Sequence, residues 1–245
     1  MRALRRVIGW IVVLALVAGT ALIVFTMVRG RPQDLPWTPL DLGQPIGLFT
    51  GLKLAALTDD FPTCEAVMTR AGVEYAVLPT RSDGASCGYD DGVRLSRGGS
   101  RGIALSPATV GVSCPVAAAL AMWEWDIVAP AAQEILGTRI TRIDHFGSYN
   151  CRRLYGRGDG AWSEHATADA IDIAGFRTAD GRRIGIAADW TSDGDGDEAR
   201  FLRRVRDGAC QLFSTVLSPD YNAAHRDHLH LDQAERGALG GRACR

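Results

Sequence analysis

His225, His228 and His230 stand together in His225-Arg226-Asp227-His228-Leu229-His230-Leu231-Asp232, and they are three of the chain's five histidines. A fourth, His165, lies in Ser163-Glu164-His165-Ala166-Thr167-Ala168-Asp169-Ala170-Ile171-Asp172. Imidazole nitrogen and carboxylate oxygen are the donors of a catalytic zinc ion, which takes three protein ligands and keeps a fourth position for water. On a strand, two-residue alternation would put His228 and His230 on one face. Asp172 sits between Ile171 and Ile173, where an unpaired carboxylate is costly and coordination of a cation removes the cost. A single histidine in either stretch would more often be structural, and an H-x-H alone is a weak signal. The two motifs together, with an aspartate inside an apolar strand, favour a metal. Two histidines and a carboxylate also suit non-haem iron.

The elements that must position these residues are readable from caps, turns and periodicity. Asp59-Asp60-Phe61-Pro62 predicts a helix start, with the helix running to about Ala71 and Gly72 past its end. Val73 to Leu78 reads as a strand, and Ser82-Asp83-Gly84 with Asp90-Asp91-Gly92 as turns around a hairpin containing Cys87. Ser113 and Pro115 open a second helix carrying Trp123 and Trp125, expected to break at Pro130 and end by Gly137. Arg139 to Phe146 reads as a strand. Ile171 to Phe176 and Arg183 to Ala188 read as a pair around Asp180-Gly181. The apolar spacing of Phe201, Leu202, Val205, Ala209, Leu212 and Phe213 predicts a helix from about Asp197 to Leu217. The last strand is His228 to Leu231. Without a βαβ rhythm, the expected class is α+β, a small antiparallel sheet with flanking helices.

Of the 245 residues 47% are apolar, ample for a core, and the formal net charge of −1 gives no global field for nucleic acid. Residues 1–6, with Arg2, Arg5 and Arg6, precede an uncharged span at 7–28 that matches the roughly 20 residues needed to cross a bilayer as a helix. Its length, beyond a typical signal-peptide core, and the lack of an A-x-A cleavage site after it predict an uncleaved anchor. The charge bias puts the tail in the cytoplasm and the body outside, in the periplasm or its equivalent. Residues 29–45, with Pro32, Pro36, Pro39 and Pro45, read as a stiff tether, and 46–245 as the folded domain. Six cysteines without a C-x-x-C pair fit three disulfides in an oxidising compartment, and sequence does not choose among the fifteen pairings. Asp193-Gly194-Asp195-Gly196-Asp197-Glu198 begins like a calcium loop. Glu198 stands where glycine is needed and Arg204 where the bidentate glutamate would be, so it reads as an acidic turn.

S-E-H-A-T-A-D-A-I-D followed by D-H-L-H resembles a superfamily of zinc peptidases that includes D-alanyl-D-alanine carboxypeptidases, murein endopeptidases and the Hedgehog fold. Their first motif reads S-x-H-x-x-G-x-A-x-D; Ser163, His165, Ala170 and Asp172 match it, and Ala168 replaces the glycine. Gly147-Ser148-Tyr149-Asn150-Cys151-Arg152 and the H-x-D-H-L-H-L-D stretch further resemble the bacterial extensin-like C-terminal family. The resemblance implies that His165, Asp172 and His230 hold Zn2+ and that the substrate is an amide bond of a peptidoglycan peptide. It implies Asp227 as general base, in place of a glutamate, or else His225 or His228, which match the endopeptidase spacing. Arg152, then Arg153, would contact substrate carboxylate or carbonyl, and Ser163 would support the metal loop beside the substrate. The competing expectation is a non-catalytic, metal-containing wall-binding module. The sequence names no protein partner beyond the wall peptide and the membrane.

Overall fold

Asp60 caps helix α3 (Phe61–Arg70) by accepting from the Thr63 N–H, with Pro62 in the first turn, where no donor is required. Gly72, with φ 70, then lets the chain turn into β1 (Val73–Val77). The same device recurs at Ser113, whose Oγ accepts from the Val116 N–H at the start of α4 (Cys114–Trp123). Every residue of α4 is buried. Its run of alanines lets α2 (Thr50–Ala55), α3 and α7 (Asp197–Ala209) pack closely around it. Trp123 is core: its indole N–H donates to the Val205 carbonyl of α7 at 2.8 Å. The structure is a computed structural model and describes residues 2–190, 196–236 and 241–245. Asp193 to Asp195 of the acidic turn lie outside the described residues.

The helix expected to break at Pro130 continues. It widens into π-helical turns at Glu124–Val128 and Ala132–Leu136, on either side of α5 (Ala129–Ala131), and ends at Gly137 with φ 65. A widened turn accommodates the ring that would crowd the preceding turn and the N–H that proline lacks. In contrast, α7 ends at Ala209 instead of reaching Leu217. Cys210 is bonded to Cys244, and Thr215–Leu217 forms strand β10. Residues Leu212 and Phe213 are fully buried, so their helical spacing reported core contact in a turn, not helix. The strand expected at Arg183 to Ala188 stops at Gly185 (β9, Arg183–Gly185), where a short helix α6 (Ile186–Asp189) begins.

Three sheets result. β4 (Gly92–Gly99) lies between β1 and β6 (Val112–Ser113), and β2 (Arg81–Ser82) pairs with β3 (Gly88–Tyr89) as a separate hairpin. The main sheet has seven strands. Its order is β12 (Ala243–Cys244), β10, β11 (Leu229–Asp232), β8 (Ala170–Thr178), β7 (Ile140–Gly147), β5 (Ala104–Ser106), with β9 also on β8. The central pairs are antiparallel, as expected, whereas β5–β7 and β10–β12 are parallel at the edges. The decisive register is that of β11 on β8, which sets His230 directly opposite Asp172.

All six cysteines are paired, Cys64–Cys114, Cys87–Cys151 and Cys210–Cys244. The N-terminal helix α1 (Arg2–Arg29) contains a stretch, Arg5–Ile23, long and apolar enough to cross a membrane, a property that signal sequences share. The proline-rich segment after it is docked on the domain. Leu40 and Leu42 are buried in the core, and Lys53 Nζ donates to the Pro32 carbonyl, Gln33 Oε1 and Thr38 Oγ1. Composition suggests a stiff, extended tether because prolines dominate it; two buried leucines fold it back onto the domain.

Candidate metal centre

Directly opposite residues on antiparallel strands bring their Cβ atoms within about 5 Å. The Asp172–His230 pair is such a pair, and it places His230 Nδ1 3.0 Å from Asp172 Oδ1. His165 enters from the 3-10 turn Glu164–Thr167, just before β8. Its Nε2 lies 3.2 Å from Asp172 Oδ2 and 3.2 Å from His230 Nδ1. The donor atoms of these three residues fall within 4.8 Å of one another, an arrangement able to hold a metal ion.

The outer nitrogens are committed. His165 Nδ1 donates to the Ser148 carbonyl at 2.5 Å, and His230 Nε2 donates to Asp232 Oδ2 at 3.0 Å. With each ring's proton so engaged, the inner nitrogens present lone pairs to one another and to the Asp172 carboxylate. Such a set repels itself unless a cation lies among it. A proton can serve: burial alone would lower the pKa of His230, but hydrogen bonds to Asp172 and Asp232 outweigh it and raise it to about 9. Burial also opposes ionisation of Asp172, yet its hydrogen bonds from His165 and His230 hold the carboxyl far below the usual range. A divalent ion supplies the same positive charge with two histidine nitrogens and a carboxylate oxygen as donors, so the residues fit a metal.

The turn that presents His165 is tied down from several sides. Ser163, itself buried, caps it, its Oγ accepting from the His165 N–H at 3.4 Å. The structure thus places Ser163 as a support of the loop, with its hydroxyl turned to the backbone. Ala168 ends the turn with φ 61, a left-handed conformation that glycine would adopt without steric cost. Asp169 then accepts from Ser113 Oγ at 2.5 Å, coupling the metal loop to the cap of α4. Burial, only partly offset by Ser113 and reinforced by Asp91, Glu164 and Asp232, pushes its pKa up to about 7. The folded state therefore holds a proton that the unfolded state, at the ordinary 3.8, has released. That contribution to stability is present near pH 4 and is lost as pH rises towards 7. Asp169→Asn should remove this slope, on the order of a few kcal/mol across the window. Urea unfolding of chelator-treated protein at pH 4 to 8 checks it; parallel profiles for both proteins would contradict it.

The remaining expected site residues surround the cluster. His228 Nε2 lies 3.5 Å from Asp172 Oδ1, and its Nδ1 lies 2.9 Å from Asp227 Oδ1. Asp227 therefore orients His228, and it is the imidazole, not the carboxylate, that faces the donors. His225 is held through Nδ1 by Asn222 Oδ1 at 2.8 Å, with its ring 5.2 Å from that of His228. Burial, then His228 and His230, push its pKa down to about 4, so it is neutral at neutral pH, and Arg152 acts in the same direction. Arg152 is thus a neighbour of the histidines. Arg153 points elsewhere, its guanidinium 4.5 Å from the Trp162 ring and bonded to the Gly160 carbonyl.

Four participants were not singled out from the sequence. Asp232 follows His230 by two residues on β11, so the alternation that predicts His228 beside His230 also puts Asp232 on that face. The Ser148 carbonyl is a backbone group with no sequence signal. Phe146, exposed at 62%, lies edge-on to His228 at 5.9 Å, and Tyr221 flanks His225 at 5.6 Å. The fifth histidine, His145, is buried on β7 with Nε2 2.8 Å from the Pro107 carbonyl, apart from the cluster.

The family described as extensin-like protein C-terminus matches this chain over residues 62–245. The chain belongs to that family. No curated protein and no solved structure matches it. The extensin-like region begins at α3 and contains the whole metal cluster, Asp227, Arg152 and all six cysteines. Helix α1 and the docked proline-rich segment precede it.

Proposed function

We propose that this extensin-like protein is a zinc-dependent hydrolase that cuts an amide bond in peptidoglycan peptides, as its resemblance to the zinc peptidases implies. The observation that carries the reading is the convergence of His165, Asp172 and His230 on one point, beside a histidine already oriented by an aspartate. Zinc held by His165 Nε2, an Asp172 oxygen and His230 Nδ1 would polarise a peptide carbonyl and acidify a bound water. His228 Nε2, 3.5 Å from Asp172 Oδ1, would take a proton from a water at the site and return it to the leaving amine. Asp227 holds the other ring nitrogen and stabilises the imidazolium, so it acts on the reaction through His228. His225, kept neutral, leaves the site without a competing positive ring, and Arg152 offers a forked donor to a substrate carboxylate or carbonyl. The arginines at the N-terminal end of α1 and the three disulfides support an anchored protein whose domain faces an oxidising, extracytoplasmic space.

The test is a muropeptide digest followed by mass spectrometry. Asp227→Ala should retain stoichiometric zinc and lose roughly 10- to 100-fold in kcat, the effect of removing an orienting partner. A wall-binding module would instead bind zinc and muropeptide and release no product from any wall fraction, and that result would end the hydrolase reading.

A further inference from the structure

A cavity of about 390 Å3 shares a wall with the metal centre. Ser148, whose carbonyl holds His165, lines it, as do Tyr149, Arg81, Tyr89, Arg94 and Leu78. No lining residue is acidic. The Arg81 guanidinium lies 4.0 Å from the Tyr149 ring, and its Nε donates to Asp83 Oδ2 at 2.7 Å. Tyr149 Oη donates to the same Asp83 oxygen at 2.7 Å, which fixes the ring. Arg94, exposed on β4, has no ion pair among the described residues.

The cavity is built. Tyr89 packs edge-on to Tyr149 at 5.7 Å, and Leu78 Cδ1 lies against Gly111, where a side chain would displace it. The disulfide Cys87–Cys151 ties the β2–β3 hairpin, which frames the cavity, to the loop that carries Arg152. Two cations with one neighbouring carboxylate leave a single positive charge, held by stacked, planar groups. That matches a carboxylate better than a doubly charged phosphate.

We infer that this cavity is a substrate subsite that takes a free carboxylate of an acidic peptide, adjacent to the bond presented to the metal centre. The inference rests on the hydrolase reading for its substrate class, while the subsite itself is testable by binding alone. The full-length protein in detergent micelles is titrated with the stem tripeptide L-Ala-γ-D-Glu-L-Lys as the free acid and as the fully amidated form, in parallel with a turnover assay. The acid should bind roughly tenfold tighter than the amide. Arg94→Gln should bring the two affinities together, and Arg94→Lys, which keeps the charge, should retain part of the difference. Thermal midpoints equal to wild type identify folded variants, and Arg81→Gln gives a second reading of the same ratio. Equal affinities for acid and amide in the wild type would overturn the subsite, as would an unchanged ratio in both glutamine variants. Displacement of the peptide by inorganic phosphate at equal concentration would also overturn it, by showing a general anion site. Discrimination without turnover would uphold the subsite and sink the hydrolase; turnover without discrimination would do the reverse.

Discussion

With Asp172 exchanged for asparagine, the protein is expected to carry no stoichiometric metal and to release no detectable peptide from purified wall. The exchange leaves the shape of the site and removes its one anionic donor, so the two inner nitrogens face a neutral amide. Loss of a catalytic ion forfeits several kcal/mol of transition-state stabilisation. At about 1.4 kcal/mol per decade, that is roughly a thousandfold or more in rate. Wild type treated with a chelator should show the same loss, recover on addition of zinc, and unfold at a lower temperature while stripped, because an ion that binds only the folded state stabilises it. Added zinc should restore nothing in Asp172→Asn. Metal analysis and product mass spectrometry decide the matter. Full activity in the stripped wild type would sink the metal mechanism.

The second large effect concerns stability. Cys64 and Cys114 are fully buried and join α3 to the first residue of α4, closing a loop of 50 residues in sequence. By the chain-entropy relation, a loop of that length is worth about 4 kcal/mol. Replacing both cysteines with alanine should lower the unfolding free energy by that order, read as a fall of the urea midpoint, with a steeper slope because the unlinked denatured chain exposes more surface. Because α4 also presents Ser113 to Asp169, the loss should weaken the metal loop as well. An unaltered midpoint would show that α3 and α4 hold together by packing alone.

Much of the site could be read in advance, and the reasons are local. Asp60 with Pro62 and Ser113 with Pro115 are cap signals whose physics involves only neighbours in sequence. An aspartate between two isoleucines announces a buried charge that needs a partner, and strand alternation relates His228 to His230. What was not legible depends on distant pairings. Nothing local states that β8 lies against β11 in the register that faces Asp172 with His230, nor which cysteines meet. The end of α7 was misjudged because Leu212 and Phe213 are buried in a turn that mimics helical spacing. The continuity of the helix through Pro130 depends on widened turns that single-residue rules do not foresee. Arg152 and Arg153, equivalent as letters, part company only because Trp162 captures the second.

The pairing of Asp172 with His230 across two strands has a temporal side. His165 and Asp172, before and on β8, are synthesised well ahead of β11, so a partly emerged chain has the loop and the carboxylate but no second imidazole at the centre. A slip of one residue in that pairing would exchange His230 for an aliphatic neighbour and leave the centre equally incomplete. The cluster able to hold a metal is therefore complete only once β11 has paired with β8, among the closing steps of folding.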